Sequence, residues 1–91
     1  MKLLDRYLDK WISRKALVVL RHNFAMCGFK TIVEEKGDYY DISLKRYHRE
    51  EKPKHFLTLQ AYDGLEFYIK WYNLKSNEFM SVGEELFENE Q

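Results

Sequence analysis

The apolar residues in the first third of the chain recur at three- and four-residue spacing, which is the period of a helix. The first of them are Leu4, Leu8, Trp11 and Ile12, and charged residues occupy the other side of the same segment. The stripe continues as far as Cys27, and Ser13 is a suitable N-cap for a second helix. The pattern predicts an N-terminal helix that is either continuous, bent near Ser13, or divided there into two.

A helix end followed by a hairpin is predicted next. Gly28 is expected in the left-handed position after the last helical turn, with Phe29 packing back on the helix. From Phe29 onward apolar and polar residues alternate, as in a strand. The pair Gly37-Asp38 fits a two-residue hairpin turn, and that register places Val33 opposite Ile42.

A second hairpin is predicted around Asp63-Gly64. A three-residue loop with Gly64 in the left-handed position pairs Leu59 with Phe67 and keeps apolar residues on one face. The residues expected to be buried against the N-terminal helix are Leu57, Leu59, Phe67, Ile69 and Trp71. The segment between the hairpins, residues 45–55, is basic and contains Pro53, so it is expected to be an exposed connection.

The other face of the predicted sheet carries aromatic residues where charged ones would suffice. Alternation places on it Tyr39, Tyr47, Phe56, Tyr62, Tyr68 and Tyr72. Large exposed apolar patches are uncommon on soluble monomers, so these rings are expected to be covered by the chain's own ends, by a second copy or by a partner.

The end of the chain predicts a short helix, because Ser81-Val82-Gly83-Glu84 is a capping-box pattern and is followed by an acidic amphipathic stretch. Phe79 and Met80, just before it, are candidates to cover part of the aromatic face. The predicted fold is α+β in a single domain, residues 1–91: an N-terminal helix on a four-stranded antiparallel sheet of two hairpins, with a short C-terminal helix.

Charge is balanced over the whole chain but not along it. Fifteen basic and fifteen acidic side chains give a formal net charge of zero, which argues against a protein whose main task is to neutralise phosphates. Residues 1–55 hold thirteen basic and eight acidic side chains, whereas residues 56–91 hold two and seven. No apolar run is long enough for a signal peptide or a membrane span, so a cytoplasmic location without membrane contact is expected.

No set of residues indicates a reaction. Cys27 is the sole cysteine and lies on the apolar stripe, so we expect a packed thiol rather than a nucleophile. The spacings of His22, His48 and His55 do not match a metal site, and the four glycines form no phosphate-binding loop. A non-enzymatic protein without metal, cofactor or small-molecule substrate is the expectation.

Two kinds of partner remain. Tyrosine dominates interface hot spots, so the aromatic face predicts a protein-interaction module, for example an inhibitor or regulator of a larger cytoplasmic protein, or self-association. Small chains of this kind are frequent among phage and mobile-element products, which makes such an origin a hypothesis. The alternative is a domain that binds single-stranded nucleic acid by stacking bases on the rings. Its backbone contacts would come from Lys45, Arg46, Arg49, Lys52 and Lys54.

Overall fold

The computed structural model of the chain describes residues 3–88, with side chains from residue 7 onward. The elements are α1 Leu3–Met26, β1 Phe29–Glu35, β2 Tyr39–Arg46, β3 Lys54–Gln60, α2 Gly64–Asn73 and α3 Ser76–Glu88. One turn of 3₁₀ helix, Ala61–Asp63, joins β3 to α2. The strands form an antiparallel sheet in the order β1-β2-β3. The α+β class is confirmed, whereas the number of strands differs from the prediction.

α1 is a single helix that runs without interruption through Ser13, so Ser13 caps no second helix. The Ser13 side chain is instead buried, and its hydroxyl donates a hydrogen bond to the carbonyl of Ala61 at 2.8 Å. The helix ends as predicted, because Gly28 takes the left-handed conformation with φ 91°. Leu4 is predicted to lie on the apolar side of the helix, but its side chain is outside the part of the chain that the structure describes.

The first hairpin is confirmed. Gly37 has φ 81°, and the amide of Lys36 donates to the carbonyl of Tyr39 at 2.9 Å across the turn. Val33 pairs with Ile42 in the register that the two-residue turn requires. The alternation of residues along these two strands was sufficient to predict which of them face α1.

β3 pairs with β2 after a largely exposed connection, residues 47–53, which is shorter than the predicted 45–55 because β2 continues to Arg46 and β3 begins at Lys54. Ile42 pairs with Leu57 and Ser43 pairs with His55, which leaves Phe56 as an extra residue in β3. The ring of Phe56 packs edge-on against Phe24 of α1, with centroids 5.4 Å apart. The irregularity thus turns Phe56 toward the helix and away from the outer face predicted for it.

The predicted fourth strand is wrong, since the segment after Gln60 forms a 3₁₀ turn and then α2. Gly64 has right-handed helical dihedrals (φ −56°, ψ −41°), so the left-handed position and the three-residue loop are absent. Because apolar residues are so dense between Leu65 and Tyr72, this segment satisfies the spacing of a strand and of a helix alike. The helix buries Trp71 and leaves Ile69 exposed, whereas the strand would bury both.

The C-terminal helix is longer than predicted, because α3 begins at Ser76. The carboxylate of Glu78 accepts a hydrogen bond from the backbone amide of Lys75 at 3.1 Å. This is one of the two reciprocal hydrogen bonds of a capping box, and it lies at the start of α3, before the capping box predicted at Ser81-Val82-Gly83-Glu84. α3 buries Phe79 against Phe24, and it packs Phe87 against Phe29 with the rings stacked. It therefore closes the end of the sheet and does not cover an aromatic outer face.

The core lies between α1 and the sheet, and α1 extends beyond it. The largest fully buried side chains include Phe24, Leu20, Ile42, Leu44 and Leu59. Ser13 lies level with the end of β3, because it bonds to Ala61 directly after that strand. The turns of α1 before Ser13 project past the sheet, and the molecule is 45 Å along its longest axis.

Candidate interaction surface

α2 lies beside α1 and runs in the same direction. A β-carbon at Gly64 would clash with the side-chain hydroxyl of Ser13 and would lie only 2.7 Å from its backbone nitrogen and 2.9 Å from its α-carbon, so the backbones of the two helices come close together at this point. Ser13 and Ala16 are fully buried on the facing part of α1. The small residues allow the close approach, which orients Trp71 of α2 inward.

A second side of α2, next to the one that meets α1, is apolar although it is exposed. Leu65, Ile69 and Tyr72 follow at spacings of four and three residues and therefore share one side of the helix. All three are exposed, and Tyr72 has 68% of its surface accessible. The ring of Tyr68 stacks on that of Tyr72 with centroids 5.9 Å apart.

The adjoining side of α1 adds further exposed apolar residues. Trp11 is 52% exposed and Val18 is 62% exposed, seven residues further along the helix. We call the combined area the α1–α2 surface. It is formed by Trp11, Val18, Leu65, Tyr68, Ile69 and Tyr72. Scattered single apolar residues need no explanation, but a contiguous group on two neighbouring helices is typical of an interaction site.

Two hollows lie in the seam between the helices. The first has a volume of about 510 Å³ and is lined by Trp11, Ile12, Lys15, Leu65 and Tyr68. The second has a volume of about 300 Å³ and is lined by Val18, Val19, His22, Asn23 and Tyr72. The stacked rings of Tyr68 and Tyr72 each contribute to one hollow, so the pair forms a ridge between them.

The aromatic residues predicted to share one face are divided by the structure. Tyr39 is on the outer face of the sheet, Tyr47 follows β2, and Phe56 packs against α1. The other three, Tyr62, Tyr68 and Tyr72, lie in the 3₁₀ turn and in α2. The idea of a common sheet face is therefore corrected, because the fourth strand on which it depended is a helix.

The outer face of the sheet is polar around Tyr39. Asp41 accepts a hydrogen bond from the hydroxyl of Thr58 at 2.9 Å. The imidazole of His55 lies 3.1 Å from the same hydroxyl. The side chains on this face thus hydrogen-bond to one another, and they form no aromatic platform on which bases would stack.

Three of the five basic residues proposed for nucleic-acid contact are engaged within the chain. The ammonium group of Lys45 donates to the carbonyl of Arg49 at 2.6 Å, and that of Lys54 lies 5.6 Å from the centroid of the Phe87 ring. The guanidinium of Arg46 lies 4.6 Å from the same ring. The remaining two, Arg49 and Lys52, are exposed in the connection between the strands.

Arg46 also holds the carboxylate of Glu51 by two side-chain hydrogen bonds, from Nε at 2.8 Å and from Nη2 at 2.5 Å. The backbone amide of Arg46 donates to the same carboxylate at 3.3 Å. The hydrogen bonds from the Arg46 side chain lower the pKa of Glu51 from 4.5 to about 2. The bidentate pair stabilises the path of the connection between β2 and β3.

Residues of the α1–α2 surface were in part missed by sequence reasoning. The apolar spacing predicts that Ile69 is buried against the N-terminal helix and that Trp11 lies on the apolar side of that helix, because apolar residues on a regular pattern are normally buried. Ser13 and Ala16 on one side of α1 were a signal that another backbone approaches there. Tyr68 and Tyr72 were among the predicted partner-binding residues, and their four-residue spacing was already that of a helix surface.

Other kinds of site find no support in the part of the chain that the structure describes. Within residues 3–88, no group of three or more His, Cys, Asp or Glu side chains is arranged to hold a metal ion. Cys27 is a half-buried free thiol whose sulfur lies 3.5 Å from the carbonyl of Ser76. None of the described helices is both long enough and apolar enough to cross a membrane.

Comparison with protein-family models, with curated proteins and with solved structures found no match to this chain.

Proposed function

We propose that the protein is a non-enzymatic interaction module that binds a partner protein through the α1–α2 surface. The observation that carries the proposal is the contiguous group of exposed apolar side chains beside two hollows. Tyr and Trp supply much of the energy at protein interfaces, because a large rigid ring loses little conformational entropy on binding. Inhibition or regulation of a larger cytoplasmic protein is the role that we assign to such a module.

A partner that covers this surface also removes exposed apolar side chains from water, which favours association. Each exposed apolar side chain that becomes buried contributes roughly 1.5–3 kcal/mol to association before entropic costs are subtracted. Trp11, Ile69 and Tyr72 are each about half or more exposed, so most of that gain is available in the isolated chain.

Site-specific photo-crosslinking in living cells tests the proposal. A benzophenone amino acid replaces Ile69 in one variant and Tyr39, on the polar outer face of the sheet, in the matched control. We expect a discrete crosslinked protein adduct from position 69 and none from position 39. Adducts of equal yield from both positions, or none from position 69, would contradict the assignment of the surface.

Single-stranded nucleic acid remains the alternative, but fewer observations support it. Its strongest support is the exposed pair Arg49 and Lys52. Arg46 is held by Glu51, and Lys45 bonds to a backbone carbonyl. Arg46 and Lys45 would have to break these hydrogen bonds before they could contact phosphates, and this lowers the affinity expected for a nucleic acid.

A further inference from the structure

We infer that the partner segment bound by the α1–α2 surface is an acidic amphipathic helix. The inference rests on the proposed function and adds the chemistry of the partner. The spacing of the two hollows and the charge of their lining are the observations that support it.

The spacing of the hollows matches that of a helix. The first hollow is lined by Trp11 and the second by Val18, seven residues further along α1. Seven residues of helix rise about 10 Å, so the hollows are about that far apart along the seam. Side chains at positions i and i+7 of a docked helix are separated by the same distance and point to the same side. A helix lying along the seam would therefore place one large apolar side chain in each hollow.

The ridge between the hollows fits the same occupant. The rings of Tyr68 and Tyr72 stack on each other, and Tyr68 lines the first hollow while Tyr72 lines the second. A small residue or a polar one at position i+3 or i+4 of the docked helix would cross this ridge. Ile12 and Val19, both half-buried and also seven residues apart, form the floors of the two hollows.

The charge around the hollows selects an acidic partner. Among the described residues, no carboxylate side chain lines either hollow, whereas the positively charged Lys15 lines the first. The ammonium group of Lys15 lies 5.5 Å from the centroid of the Trp11 ring, at the edge of the first hollow. α1 carries no acidic residue between Asp9 and its end at Met26. Carboxylates flanking the apolar side chains of a docked helix would thus meet positive charge along α1.

A titration with two designed peptides tests the inference. Both peptides form amphipathic helices with leucine at positions i and i+7 and alanine at positions i+3 and i+4, and they differ only in having Glu or Lys at every flanking position. Trp11 reports binding by its fluorescence, because its indole lines the first hollow while Trp71 is 2% exposed and provides a constant background. We expect the acidic peptide to bind about tenfold more tightly than the basic one.

Reversing the charge at Lys15 tests whether this residue causes the preference for the acidic peptide. The variant Lys15→Glu should lose that preference and bind the basic peptide more tightly. Lys30→Glu, an exposed lysine of β1, makes the same change of charge away from the seam and should keep the preference of the native protein. A preference that is unchanged in Lys15→Glu, or absent in the native protein, would overturn the inference.

The failure of this inference is distinguishable from the failure of the proposed function. If neither peptide binds while position 69 still crosslinks to a partner, the surface is an interaction site and its partner is not an acidic helix. If sedimentation shows a dimer that Ile69→Lys converts to a monomer, a second copy covers the surface, and the inference is likewise overturned.

Discussion

Gly64 lies directly against the backbone of Ser13, with no space for a side chain between them. The same serine donates a hydrogen bond to the carbonyl of Ala61. One residue near the middle of α1 therefore fixes both the turn that precedes α2 and the distance between the helices. This contact decides which side of α2 is buried and which side forms part of the α1–α2 surface.

The variant Gly64→Ala tests the close approach. Alanine at an exposed helical position is more favourable than glycine by roughly 1 kcal/mol. At Gly64 the added methyl group meets backbone atoms of Ser13, so we expect the free energy of unfolding to fall by about 1–3 kcal/mol instead. Urea denaturation measures it, with Glu66→Ala, an exposed position of the same helix, as the control. An increase in stability for Gly64→Ala would show that the helices are further apart.

The Ser13 hydroxyl gives an independent test of the same junction. In Ser13→Ala the carbonyl of Ala61 loses the hydrogen bond from the Ser13 hydroxyl and keeps the one from the backbone amide of Gly64, so the change should cost roughly 0.5–1.5 kcal/mol of unfolding free energy. Ser81→Ala, at an exposed position of α3, should change the stability by no more than about 0.5 kcal/mol. Equal effects of the two changes would mean that the Ser13 hydrogen bond is not formed in solution.

The parts of the fold that local chemistry determines were predictable from the sequence. Gly28 and Gly37 each occupy a left-handed position that few other residues tolerate, and they mark the end of α1 and the turn of the first hairpin. The segment from Leu65 to Tyr72 was not predictable in this way, since its apolar residues satisfy either period. Its conformation is selected by the contact of Gly64 with Ser13, which lies far away in the chain.

The candidate surface was predictable only in part for the same reason. Tyr68 and Tyr72 are predicted as partner-binding residues from their type and from an alternation that belongs to a strand, and the structure places both on α2. Trp11 follows the spacing of the apolar side of α1, which predicts that it packs against other residues, but α1 extends past the sheet at this point. A periodic pattern indicates which residues share a side and does not indicate whether the chain covers that side.

Truncation of two neighbouring residues distinguishes α2 from the fourth strand. Trp71 is 2% exposed and Ile69 is 52% exposed, although both would be buried on one face of a strand. We expect Trp71→Ala to lower the free energy of unfolding by about 3–5 kcal/mol, as for other large core residues. Ile69→Ala should change it by about 0.5 kcal/mol or less. Comparable losses in both variants would support the strand.

The Arg46–Glu51 pair predicts a dependence of stability on pH. The pKa of Glu51 is lowered in the folded protein from 4.5 to about 2, so the folded state favours the ionised carboxylate. Its stabilising effect is complete above about pH 4.5 and is lost as the pH falls toward 2. The difference in melting temperature between the native protein and Glu51→Gln should shrink over that range.

Glu50→Gln, at the exposed neighbouring position, is the control and should differ little from the native protein at any pH. NMR titration of the side-chain carboxyl of Glu51 measures the pKa itself. Titration near 4.5, or a difference between Glu51→Gln and native protein that persists at pH 2, would contradict the pairing seen in the structure.

Binding to single-stranded oligonucleotides should be undetectable at about 0.15 M salt, where screening acts over roughly 8 Å. Three of the five basic residues in and beside the connection, Lys45, Arg46 and Lys54, are engaged within the chain, and Glu50 and Glu51 interrupt the basic run. Fluorescence anisotropy with a labelled oligonucleotide measures this. Micromolar binding that is lost on replacing Arg49 and Lys52, with a steep dependence on salt, would favour the nucleic-acid alternative.

The affinity of the crosslinked partner for two matched tyrosine variants tests the central claim most directly. Tyr72 lies on the α1–α2 surface, and Tyr47 is an exposed tyrosine after β2. Tyr72→Ala should weaken binding by about 2 kcal/mol or more without lowering the melting temperature, as expected for a hot-spot ring. Tyr47→Ala should leave both quantities nearly unchanged. Loss of affinity in Tyr47→Ala but not in Tyr72→Ala would place the interface elsewhere and contradict the account.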